Sequence, residues 1–141
     1  MALASCACKC SSLAKGEKLP LLGDAEVERL LGEICPTWKV KERENDGIKF
    51  LARSFVAKNF KAAIKAIADY GEAAEAAGAG HHPDMHLTNY RTVTVEYHTF
   101  SSGGLTKDDF IMAAKLDRIS VVYSPKFVRE NPKMTAGLRN D

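Results

Sequence analysis

The sequence predicts an α+β fold, a single antiparallel β-sheet with helices packed on one face. Three observations carry this expectation. Two β-forming runs flank Asn45-Asp46-Gly47, a turn sequence that joins antiparallel strands. Residues 91–100 alternate with period two. The segments come in the order helix, hairpin, helix, strand or strands, helix, which does not suit the regular alternation of a parallel βαβ sheet. A chain of 141 residues, 45% apolar and 27% charged, has the length and composition of one soluble domain able to bury one core.

Taken in order, the first regular pattern follows Leu21. Asp24 is read as an N-cap, and Val27, Leu30, Leu31 and Ile34 recur at helical spacing up to Cys35-Pro36. Residues 38–43 and 48–56 form the hairpin, whose Asn45, Asp46 and Gly47 readily take positive φ; Ile48, Phe50 and Arg53 break the alternation and leave the register open. Asn59 caps the longest helix, with Phe60, Ile64, Ile67, Gly71 and Ala74 as its apolar face. That helix stops by Gly78-Ala79-Gly80 and Pro83, which leaves His81 and His82 on a turn or at the start of an extended segment. In the strand 91–100, Val93, Val95, Tyr97 and Thr99 share one side, and Glu96, His98 and Phe100 the other. Thr106 caps a last helix with Asp109 in its first turn, and residues 110–119 are apolar almost all round.

These signals divide the chain into a Cys/Ser-rich flexible tail over residues 1–20, a folded domain over 21–123 and a polar tail over 124–141 holding at most one short docked piece. The net charge of +2 is too balanced to indicate a nucleic-acid groove or a membrane patch, and no apolar run approaches the roughly 20 residues of a membrane-spanning helix. Cys6, Cys8 and Cys10 alternate without the paired spacing of a metal site, and Cys35 stands apart. With no signal-peptide pattern, the expectation is a reduced, cytoplasmic setting, with the nucleus as a second address.

All four histidines, His81, His82, His86 and His98, fall within eighteen residues. Imidazole titrates near neutrality, so histidines converging on one cleft suit general acid and base work; exposed loop histidines are the plainer alternative. His82 and His86 have the spacing of a helical zinc pair, but Pro83 pushes its predecessor out of the α region and no HExxH glutamate is present, so no metal is expected.

Gly80-His81-His82-Pro83-Asp84, the Asn89-Tyr90 stretch, a strand, Gly103-Gly104-Leu105-Thr106 and Asp108-Asp109 together resemble the pterin-4a-carbinolamine dehydratases. The resemblance spans roughly residues 20–120, with Trp38 and Lys58-Asn59-Phe60 also in place. It implies dehydration of a 4a-hydroxytetrahydropterin to the quinonoid dihydropterin, the recycling step of tetrahydrobiopterin, without metal or cofactor. It further implies a four-stranded sheet, a homodimer or homotetramer, and His81 and His82 as catalytic residues with a third histidine on the following strand. Counting back from Gly103-Gly104-Leu105, that third place falls on Phe100, which moves no proton; His98, two residues earlier, faces the same way about 6.5–7 Å off and is the candidate in its stead. A local bulge is the other way to bring it into register. The acidic residue that precedes the pair falls on Ala77 or, aligned from the helix start, on Glu75. Glu75, Pro83, Asp84 and Asp109 are the substrate-binding candidates, although dipole complementation alone explains an aspartate at Asp109, and His86 is assigned to solvent or packing. The competing reading, also implied by the resemblance, is a catalytically weakened relative. It would serve as dimerisation cofactor of a transcription factor through helical surfaces, bound to protein and not directly to nucleic acid.

Overall fold

A computed structural model describes residues 18–78 and 80–132; the segment with Cys6, Cys8 and Cys10 and the last residues of the chain lie outside them. In chain order the elements are α1 (Asp24–Leu31), β1 (Trp38–Glu42), β2 (Lys49–Val56), α2 (Phe60–Ala76), β3 (Asp84–Thr88) and β4 (Thr92–Tyr97). A 3-10 turn (Phe100–Ser102), α3 (Lys107–Leu116) and α4 (Pro125–Glu130) complete them. The four strands form one antiparallel sheet in the order β1-β2-β4-β3, so the α+β expectation holds. Alternation puts Leu51, Arg53 and Phe55 of β2 and Val93, Val95 and Tyr97 of β4 on the buried side, beneath α2 and α3.

Several local expectations shift. Gly23, not Asp24, is the N-cap of α1; Asp24 begins the helix, where a carboxylate suits the dipole, and meets Lys49 at 3.1 Å. In the hairpin loop only Gly47 takes positive φ, at 71°, while Asp46 accepts from the Ile48 backbone N–H and from Arg43. Asn59 does cap α2, accepting from Ala62 N at 2.8 Å. The buried face of α2 is nevertheless Ala63, Ala66, Tyr70 and Ala74, while Phe60 and Ile64 stay 54% and 45% exposed. The true face is turned by one residue, about 100°, because small alanines let the helix sit close to the sheet and bring the Tyr70 hydroxyl to Arg53.

Arg53 also explains the uncertain register of β2. A cation occupies a core position of the alternation, donating to the hydroxyls of Tyr70 and Tyr123 and lying over the rings of Phe55, Tyr70 and Tyr123. Trp38 is buried and donates its indole N–H to Asp117.

At the far edge, β3 follows directly on Pro83 and turns into β4 through Asn89 and Tyr90, both left-handed at φ 49° and 55°. β4 stops at Tyr97, short of the predicted Phe100. The chain then bends: Thr99 pairs with Gly104, and Phe100 to Ser102 form the 3-10 turn between them. Beyond Ser124, α4 docks by stacking Phe127 on Tyr123.

Candidate active site

His81 and His82 owe their place to the end of α2. Gly78 and Gly80, both at φ 66°, reverse the chain and Pro83 starts the edge strand, so the pair bridges helix and sheet. Their environments differ sharply. His81 is buried, its ring tilted against Tyr97 with centroids 5.1 Å apart, and its Nε2 lies 2.6 Å from Asp109 Oδ1. His82 is exposed, its Nε2 2.6 Å from Glu75 Oε1. An ionised carboxylate only accepts, so in both rings the proton belongs on Nε2, which leaves Nδ1 of the neutral ring as the acceptor.

Asp109 is wholly buried at the start of α3. Its Oδ2 accepts from the Thr106 backbone N–H and from the Thr99 hydroxyl, each at 2.9 Å, while Oδ1 meets His81. It therefore has no surface to offer a substrate. Asp109 stands behind His81, and capping is only half of what it does.

His98 lies on the far side of the same opening. Together with Gly80, His81, His82, Asp84, Glu96 and Phe100 it lines a hollow of about 360 Å³, a volume suited to a small bicyclic ligand. Among the described residues its Nε2 is buried without a hydrogen-bond partner, whereas buried polar atoms are nearly always satisfied. Phe100 sits at the rim, 86% exposed, its ring centroid 6.4 Å from that of His98. The turn closed by Thr99 and Gly104 loops Phe100 outward and leaves His98 facing the two other histidines.

Of the remaining candidates, Asp84 reaches the hollow from β3. Glu75 is brought in only through His82, and Pro83 borders a second, shallower groove of about 450 Å³ with Gly71, Glu72, Ala74, Glu75, His82 and Met85. His86 faces solvent and meets Glu96 at 3.2 Å. Sequence reasoning missed Glu96 and Thr99: the first was legible as a same-face neighbour of His98, the second only through a contact ten residues along the chain. Among the described residues no group of three His, Cys, Asp or Glu side chains is arranged to hold a metal ion.

Comparison with known proteins converges on one family. The family described as "Pterin 4 alpha carbinolamine dehydratase" matches residues 20–119. A protein of Chlorobium luteolum named "Putative pterin-4-alpha-carbinolamine dehydratase" is 39% identical over 111 residues, which cover 79% of this chain and 90% of that one. Among solved structures, a "transcriptional coactivator/pterin dehydratase" from Brucella melitensis superposes with a TM-score of 0.57 at 30% identity, over 69% of this chain and 95% of the other.

Proposed function

The chain belongs to the pterin-4a-carbinolamine dehydratase family, and from that premise we propose that it converts a 4a-hydroxytetrahydropterin to the quinonoid dihydropterin by histidine acid and base catalysis. In that reaction the bond from C4a to oxygen breaks and the leaving oxygen takes up a proton to depart as water. A ring N–H gives up its proton as the carbon–nitrogen double bond forms. The step needs one proton donor and one acceptor of nearly matched strength, which imidazoles supply at neutral pH.

The observation that carries this reading is the meeting of His81, His82 and His98 in one hollow. Each histidine offers something different. His81 is held rigidly by Asp109, His82 is exposed to substrate and steadied by Glu75, and His98 brings an unpartnered ring nitrogen. Asp84 and Glu96 add acceptors on the same wall for the donor-rich edge of a pterin.

The alternative, a weakened relative acting only through protein contacts, would gain from a His98 turned away and a Phe100 filling the cleft; His98 instead lines the hollow. As for assembly, the exposed apolar pair Phe60 and Ile64 on α2 supports a homo-oligomer that covers it. Light scattering on the native protein and on Ile64→Glu checks that point, with a smaller species expected for the variant.

The test of activity is the rate at which freshly generated 4a-hydroxytetrahydropterin becomes quinonoid dihydropterin. Native protein is expected to exceed the spontaneous reaction clearly, and His82→Ala to lose about 10²- to 10⁴-fold of that acceleration. No acceleration by the folded native protein would overturn the proposal.

A further inference from the structure

Thr99 occupies an unusual junction. Its backbone closes the turn that loops Phe100 out: Thr99 N donates to Gly104 O at 2.8 Å, and Gly103 N donates back to Thr99 O at 3.0 Å. Its side chain points the other way, into the core, where it is 2% exposed. There the hydroxyl donates to Asp109 Oδ2 at 2.9 Å and lies 2.7 Å from the Thr106 hydroxyl. A hydroxyl has one proton to give. With that proton on Asp109, Thr99 can only accept from Thr106, so the Thr106 hydroxyl donates to Thr99, Thr99 to Asp109, and Asp109 accepts from His81. All four side chains are buried, the most exposed being His81 at 7%.

We propose that Thr99 is a positioning residue of the active site, setting His81 and His98 together. Through Asp109 it fixes His81 as the Nε2–H tautomer, so that Nδ1 is the nitrogen left to accept a proton. Through the turn it keeps His98 within the hollow and Phe100 at its exposed rim. The physical basis is the orientation of the carboxylate. Asp109 has one oxygen for His81 and one for Thr99 and the Thr106 backbone. Removing the Thr99 donor leaves Oδ2 held by a single backbone bond in a site without water-facing surface. The carboxylate is then oriented by the Thr106 backbone bond and His81 alone, and it holds the ring in one tautomer less strictly.

The catalytic half of this inference rests on the dehydratase reading; the tautomer half does not. The experiment therefore has two arms, using the full chain. Long-range ¹H–¹⁵N correlation spectra report the tautomer of His81 without any substrate: the native protein is expected to show Nε2–H, Thr99→Ser to match it, and Thr99→Val to show a mixture. In turnover, Thr99→Val is expected to lower kcat about tenfold with KM within twofold and to broaden the basic limb of the pH profile, whereas Thr99→Ser restores the native profile. A native His81 with its proton on Nδ1, or a Thr99→Ser variant as impaired as Thr99→Val, would overturn the proposal. So would a folded Thr99→Val variant with native tautomer and native kcat. If Thr99→Val does not fold, the native and Thr99→Ser spectra still decide. Absence of turnover in the native protein with the expected tautomers would count against the dehydratase reading and not against the role of Thr99.

Discussion

Among the described residues, buried polar side chains gather around Arg53 and around Asp109. Arg53 is enclosed on every side: two tyrosine hydroxyls accept from it, three aromatic rings face it, and Asp117 lies 4.0 Å away. Asp109 is just as buried, but its chain of contacts runs outward through His81 to a hollow shared with His82 and His98. Among the described residues each region has one buried nitrogen without a partner, Arg53 Nε and His98 Nε2. The first faces a core where aromatic rings compensate a cation; the second belongs to a histidine that lines an opening a ligand can enter. A sealed network serves stability, and one that ends at a surface is available for chemistry.

If that contrast is right, damage to the two networks separates. Arg53→Ala removes the buried cation to which the Tyr70 and Tyr123 hydroxyls are matched and empties its place in the core, and should cost about 3–5 kcal/mol of unfolding free energy in urea titration, while the protein that remains folded keeps its turnover. Asp109→Asn puts an amide donor where His81 needs an acceptor. It should lower turnover about 100-fold yet cost only about 1–3 kcal/mol in the same titration, the penalty of one unsatisfied buried group.

The sealed network also has its own pH signature. Burial pushes the Tyr70 phenol well above its ordinary value of 10.0, despite the opposing pull of Arg53. Below pH 10 the phenol is protonated in folded and unfolded chains alike. Above it the unfolded chain releases the proton while the folded one does not, so stability falls as pH rises, by about 1.4 kcal/mol per pH unit for this one group. In Tyr90→Phe, which lacks the exposed tyrosine, tyrosinate absorbance at alkaline pH should therefore rise together with loss of secondary structure. Titration of Tyr70 in a protein that stays folded would contradict the sealing. The smallest effect belongs to the solvent-facing pair: Glu75→Gln should change turnover no more than about fivefold, because a hydrogen bond between two exposed side chains competes with water.

How much of this could be read from the sequence followed the range of the interaction. The Asn59 cap, the Thr106–Asp109 start of α3 and the period of β4 depend on neighbours within a few residues, and all three were legible. The face of α2 was not, because Phe60 and Ile64 look like core and Ala63 and Ala66 look indifferent until the sheet lies against them. Arg53 hid the period of β2, since its partners Tyr70 and Tyr123 are 17 and 70 residues away. In the site, the resemblance points to the histidine pair, and to Glu75 beside His82 only when aligned from the start of α2. His98 and Phe100 could not be separated, for residues two apart on a strand share a face, and only the turn closed by Thr99 and Gly104 sends one inward and the other out.

The division of roles between His98 and Phe100 is tested most directly by comparing kcat/KM for 4a-hydroxytetrahydropterin dehydration in His98→Ala and Phe100→Ala. Loss of about 100-fold or more in His98→Ala, with Phe100→Ala within about threefold of native, is the predicted result. A native rate in His98→Ala, or a collapse in Phe100→Ala alone, would contradict it.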